Sequence, residues 1–300
     1  MSTTYPVLYN LDTWIEENQQ FFLPPVCNKM MHNDGQLKVF FVGGPNLRKD
    51  YHIEEGEELF YMLRGDMCLK VIEHGKHKDV PIKQGEIFLL PARIPHSPQR
   101  QVNTIGLVLE RERAPDERDG LRYFQVKDGV PTTDSLYEEW FYCKDLGTEL
   151  APVIRRFIAS EQCKTGQPVP GTIPEKPPVT IDGETSLQSP FNLHNWIKDH
   201  RAEIDSAGSL QLFGDNRQFY VAIYGKGENT GGSDRAETWI WQLEGESVIT
   251  VAGNEYRLHK NDSILIQAGE KYKAVGLEDS ISLVCCQDPA RKIPWKNCNA

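Results

Sequence analysis

Three hundred residues, 39% of them hydrophobic and 25% charged, are enough to bury a core as one large domain or two modest ones. A net charge of −10 gives phosphate little to bind, so nucleic acid is excluded as a partner and a small substrate is expected. No run approaches the roughly 18 apolar residues that span a bilayer, and the opening MSTTYPVLYNLDTW has no basic region ahead of an apolar block, so a cytoplasmic protein without a membrane partner is expected.

In chain order, Tyr9-Asn10-Leu11-Asp12-Thr13-Trp14-Ile15 returns as Phe191-Asn192-Leu193-His194-Asn195-Trp196-Ile197, an offset of 182 residues. In both copies a short polar side chain precedes a Trp-Ile pair, the pattern of a short capped helix, and the repeat points to duplication of one module. Phe22 to Lys29 reads as an irregular lead-in. Leu37 to Val42, Leu59 to Leu63, Met67 to Ile72, Ile87 to Leu90 and Ile105 to Leu109 read as strands, separated by Gly-bearing turns at Gly65, Gly75 and Gly85. Short strands at this spacing predict an all-β antiparallel sandwich or barrel.

The stretch from Cys163 to Ser189 is crowded with Pro, Gly, Ser and Thr and is expected to wrap or span between modules. Beyond it, Gln218 to Tyr224, Thr238 to Leu243, Ser247 to Val251, Ser263 to Gln267 and Ser280 to Cys285 read as a second barrel. The expected organisation is therefore residues 1–162, a linker at 163–189, and residues 190–300. The seven cysteines (Cys27, Cys68, Cys143, Cys163, Cys285, Cys286, Cys298) include no C-x-x-C pair. That pattern suits reduced thiols and argues against a disulfide framework or a structural zinc site.

The chemistry is concentrated between Tyr51 and Pro98. His52 is followed by five residues and Glu58, then six residues and Gly65; Gly85 is followed by five residues and Pro91, then four and His96. A lone His at a strand end is ordinarily just hydrogen-bonded, and Glu58 alone says little inside an acidic run. Their joint spacing with Gly65, Gly85 and Pro91 resembles the two signature motifs of the cupin superfamily, which implies a two-barrel, bicupin fold with a few short helices. Two imidazoles and one carboxylate on one face of a metal leave positions open, the ligand set of Fe(II) oxygen chemistry. Aligned by their turns, the halves place Gly232, Thr238 and Tyr272 opposite His52, Glu58 and His96, so the second barrel is expected to bind no metal.

Departures from the general cupin pattern narrow the resemblance. The second His common two residues after the first is Glu54, the Gly usual between Pro91 and the second His is Arg93, and the Asn usual four residues after that His is Arg100. Val42 to His52, Pro91 to Arg100, and Glu110-Arg111 with Asp119 to Tyr123 resemble segments of the 3-hydroxyanthranilate 3,4-dioxygenase family, in its animal-type, two-cupin, monomeric form. The resemblance implies one Fe(II) per chain held by His52, Glu58 and His96. It implies 3-hydroxyanthranilate and O2 as substrates, contacted by Arg48, Glu58, Arg100, Glu110 and Asn28. A guanidinium suits the substrate carboxylate, and Glu110 would take the hydroxyl proton as catalytic base. The competing view of Glu110 is an ion pair with Arg111 or Arg113. Phe60 and Met62, two and four residues on from Glu58, should share its face. The product would be 2-amino-3-carboxymuconate semialdehyde, a precursor of quinolinate. The alternative reading of the whole chain is a non-catalytic cupin that binds a small molecule.

Overall fold

The computed structural model describes residues 6–24, 27–32 and 34–291, with the side chains of residues 146 and 147 set aside. Cys298, and Pro25 and Val26 of the lead-in, lie outside the described residues. The chain forms two antiparallel sandwiches. In the first, a six-stranded sheet runs Phe191–Asn192, Glu86–Leu90, Glu58–Arg64, Ile105–Arg111, Leu37–Gly43, Asn28–His32. It faces a sheet in the order Val130–Phe141, Asp119–Lys127, Tyr51–Ile53, His96–Arg100, Met67–Glu73, Lys76–Ile82. The second sandwich sets Val7–Asn10, Asp262–Ile266, Thr238–Glu244, Ile281–Gln287, Phe219–Tyr224, Ser209–Gln211 against a four-stranded sheet.

The strands expected from sequence are present within one or two residues of their expected ends. Asn28 and Lys29, expected in a lead-in, open a strand instead. The long apolar runs have a specific cause: the large sheets are buried on both faces. Phe40, Val42, Phe60 and Met62 point into the first barrel, whereas the alternating Val39, Phe41, Leu59 and Tyr61 join Trp239 and Trp241 in a core shared by both halves. The period-2 geometry of a strand sorts adjacent residues into the two cores.

The repeated capped helices do form, with Asn10 Oδ1 accepting from Thr13 N at 3.2 Å and Asn192 Oδ1 accepting from Asn195 N at 2.9 Å. The strand ahead of each, however, pairs with the other half. Val7–Asn10 pairs with Asp262–Ile266 of the second sandwich, and Phe191–Asn192 pairs with Glu86–Leu90 of the first. The segment from 163 to 189 begins in the helix Glu161–Thr165 and then lies without regular structure along the first barrel. Asp182 N donates to Arg93 O at 3.0 Å and Leu187 N to Glu73 Oε1 at 2.7 Å.

The helices Leu146–Ala159, Glu161–Thr165 and Arg201–Ala207 were not read from the sequence, and the first of them matters most. Leu146–Ala159 carries Leu150, Val153, Ile154 and Phe157 at helical spacing. It packs on the outer sheet through Leu121, Leu136 and Tyr123, whose ring stacks on Phe157 at 3.4 Å.

Because Trp241 is buried against Tyr61 of the other half, ring centroids 5.7 Å apart, its removal tests the shared core. Trp241→Ala should lose about 3–5 kcal/mol in urea denaturation, with fluorescence and circular dichroism still following one transition. Two separated transitions would mean that the halves unfold independently.

Candidate metal centre

His52 and His96 face each other across paired strands, in register. Glu58 begins the strand of the opposite sheet, so the three side chains meet inside the barrel with exposures of 3%, 2% and 5% for His52, His96 and Glu58. Their ligand atoms all lie within 4.8 Å of one another. Glu58 Oε1 is 2.7 Å from His96 Nε2 and 3.7 Å from His52 Nδ1, yet accepts no hydrogen bond of normal geometry from either. A buried carboxylate oxygen facing two imidazole nitrogens without a hydrogen bond fits ligands that converge on a cation between them.

The outward nitrogens support the same assignment. His52 Nε2 is 2.7 Å from Asp119 Oδ2, and His96 Nδ1 is 3.0 Å from the Ile94 carbonyl. Each imidazole is thereby turned so that its other nitrogen faces the centre, as metal-binding histidines are held. The turn before His96 has Arg93 at φ +64, a left-handed conformation, which explains why glycine is usual there.

Behind the ligands lies an acidic layer gathered on Arg113. Its Nη2 is 2.8 Å from Glu54 Oε2, 3.2 Å from Glu110 Oε2 and 2.8 Å from Asp119 Oδ2. Burial pushes Asp119 up, but Arg113 and His52 outweigh it and bring the carboxyl down to about 2. Burial likewise opposes ionisation of Glu58, and His96 and His52 hold it well below the carboxylate range. At Glu110 burial prevails over Arg113, aided by Glu58 and Asp119, and its carboxyl is raised. His52 is raised to about 9, because contacts with Asp119 and Glu58 outweigh its burial.

A cleft enclosing about 630 Å³, open mouth included, runs from these ligands outward. His52, Glu58, His96, Arg48, Arg100 and Asn28 all line it, with Phe60, Val108 and Leu150 among its apolar walls. Phe60 and Met62 both belong to the barrel core as expected, and of the two Phe60 also lines the cleft. Glu110 is buried behind Glu58, paired with Arg113; Arg111 binds Glu117 at 2.6 and 2.7 Å.

Arg100 is 3% exposed, and among the described residues it has no ion pair and its Nε no hydrogen bond. Burial and the neighbouring Arg48 charge bring it down to about 10. Arg48 is ion-paired with Asp50. Its backbone is clamped by Gln99, whose Oε1 accepts from Arg48 N at 3.1 Å and whose Nε2 donates to Arg48 O at 2.9 Å. The segment reaches that position because Gly44 passes close to strand His96–Arg100: a Cβ there would stand 1.9 Å from the Gln101 carbonyl oxygen.

Of the site residues named from sequence, all but Glu110, which is turned to Arg113, line the cleft; those that orient them were missed. Asp119 was visible only as part of a motif, and Arg113 only as a possible partner of Glu110. Gln99 and Leu150 carried no signal. In the second half, Gly232, Thr238 and Tyr272 line one cavity, with Tyr272 Oη 3.1 Å from Tyr224 Oη. Among the described residues, both groupings of acidic and histidine side chains able to hold a metal lie in the first half.

Residues 1–158 match the 3-hydroxyanthranilic acid dioxygenase family. The chain is 52% identical over 281 residues to 3-hydroxyanthranilate 3,4-dioxygenase of Homo sapiens, covering 94% of this chain and 96% of that one. It is also 52% identical to the protein of the same name from Xenopus tropicalis, over 94% of this chain and 98% of the relative. Among solved structures it is similar to salicylate 1,2-dioxygenase from Pseudaminobacter salicylatoxidans, with a TM-score of 0.57 at 11% identity over 95% of this chain and 84% of that one. At that identity the likeness establishes the fold, that of a two-barrel cupin.

Asp119→Ala should weaken Co(II) binding by roughly 10–100-fold, as loss of the group that orients a ligand imidazole does. Anaerobic titration of the purified variant, with its melting temperature as a control for folding, measures this; an unchanged dissociation constant would remove Asp119 from the centre.

Proposed function

Because the chain belongs to the 3-hydroxyanthranilic acid dioxygenase family, we propose that it cleaves the ring of 3-hydroxyanthranilate with O2, using one Fe(II) held by His52, Glu58 and His96. The ring opens between the hydroxyl-bearing carbon and its unsubstituted neighbour. Both oxygen atoms enter 2-amino-3-carboxymuconate semialdehyde, which closes without catalysis to quinolinate.

The observation that carries this reading is the Arg100 guanidinium, buried without an ion pair on the same cleft as the three metal-binding side chains. A buried cation without a counterion calls for an anionic ligand. A ring carboxylate is the matching group, bound by Arg100 with Arg48 beside it. The ring then lies between Phe60 and Val108, with its hydroxyl and amine toward Glu58 and the histidines, and Asn28 bounds the cleft. Fe(II), which His52, Glu58 and His96 would hold, would supply the redox chemistry that makes O2 reactive toward the ring. Glu110, behind Glu58 and ion-paired with Arg113, accepts the hydroxyl proton when ionised, the form that Arg113 favours. The apolar wall limits water around the reacting groups.

We further propose that the chain acts as a monomer in the cytosol. The outer face of the first barrel, where a partner subunit could pack, is already covered by the second. The six described cysteines are unpaired, as a reducing compartment allows. No helix among the described residues is long and apolar enough to cross a membrane.

Loading with one equivalent of Fe(II) under nitrogen, then adding 3-hydroxyanthranilate in air, should consume one O2 per substrate and yield a transient chromophore that decays to quinolinate. Substrate binding without oxygen uptake would favour a non-catalytic binding protein. Arg100→Met should raise KM by about 100-fold, on the scale of roughly 1.5–3 kcal/mol for a hydrogen bond to a charged group, with a smaller effect on kcat.

A further inference from the structure

The two halves grip each other through reciprocal carboxylates. Phe219 N, at the start of Phe219–Tyr224, donates to the fully buried Glu57 at Oε2, 3.0 Å away. At the matching place, Leu37 N, at the start of Leu37–Gly43, donates to Glu237 Oε2 at 2.9 Å. Side-chain amides repeat the exchange: Gln36 Nε2 donates to Gln287 O at 2.8 Å, and Gln218 Nε2 to Glu55 O at 3.0 Å.

The two sets of contacts are alike, but their neighbours are not. Glu237 precedes Thr238, whereas Glu57 precedes Glu58. Gln287 Nε2 also donates to the Glu57 carbonyl at 2.9 Å, which belongs to the peptide joining Glu57 to Glu58. The second barrel therefore holds both the side chain and the carbonyl of Glu57. Glu58 Oε1, the atom that faces both histidines, has no hydrogen bond to fix it. The carboxylate as a whole also neighbours the two histidines and the buried Glu54 carboxyl, and its backbone is a further handle by which it can be aimed.

We propose that Glu57 and Gln287 are positioning residues for Glu58: the second barrel, lacking metal ligands of its own, fixes the Glu57–Glu58 peptide and so sets the geometry of the centre in the first. This rests on the reading of His52, Glu58 and His96 as metal ligands. The symmetry provides an internal control, because Glu237 makes the same kind of contact without adjoining a ligand.

The test compares Glu57→Ala, Glu57→Gln and Glu237→Ala in the full chain, by melting temperature without metal and by anaerobic Co(II) titration. Both alanine variants should lose similar thermal stability. Glu57→Ala alone should weaken Co(II) binding, by about tenfold or more, while Glu57→Gln, which keeps an acceptor for Phe219 N, should stay within about threefold of wild type. Equal effects of Glu57→Ala and Glu237→Ala on affinity, or no effect of Glu57→Ala, would overturn the proposal. Should Glu57→Ala fail to fold, Gln287→Met probes the link from the second barrel: severalfold weaker binding supports it and unchanged binding overturns it. Wild-type protein that takes up no Co(II) would overturn the metal-centre reading, and this inference with it.

Discussion

Four carboxylates, Glu54, Glu58, Glu110 and Asp119, are buried together, and Arg113 is the shared guanidinium of all but Glu58. Unpaired charge is expensive away from water, and one guanidinium cannot balance four carboxylates. Two groups resolve this differently: Asp119 and Glu58 remain ionised, whereas Glu54 and Glu110 are raised. Glu58 lies beside this group without an ion pair to Arg113, and a cation held by His52, Glu58 and His96 would be favoured there by charge as well as by geometry.

The second barrel shows the converse. Where the first has His52, Glu58 and His96, it has Gly232, Thr238 and Tyr272, all uncharged. The register places Cys286 opposite Thr238, the place that Glu110 holds relative to Glu58. The supporting carboxylate of the first half likewise has no acidic counterpart there, and hydroxyl contacts such as Tyr224 to Tyr272 occupy the space. What the two halves share is the face each turns toward the other, including Trp239 and Trp241.

Much of this was legible in the sequence because strands buried on both faces read as unbroken apolar runs, and because Gly65, Gly85 and Gly245 mark turns that require positive φ. The three side chains that converge in the first barrel were legible because a shared metal would fix their spacing. Strand His96–Arg100 was not, since its HSPQR sequence has none of the β-branched or aromatic residues that signal a strand; its residues are buried to form the site. Asp119 and Arg113 were obscure for a related reason. Their partners come from neighbouring strands, and cross-strand contacts leave no local period. The exchanged edge strands Val7–Asn10 and Phe191–Asn192 were invisible as such: a repeat shows that two segments are alike, not which sheet each one joins.

That exchange also sets a schedule for the chain during its synthesis. Residues 7–10 are made long before their partners at 262–265. At the roughly 5–20 residues per second of translation, the first strand waits on the order of ten seconds to a minute for its place. Meanwhile the first barrel has its own open edge at Glu86–Leu90 until Phe191–Asn192 emerges. An unpaired edge is a template for other chains, so a nascent protein of this design passes through a period in which another copy could supply the missing strand before its own arrives.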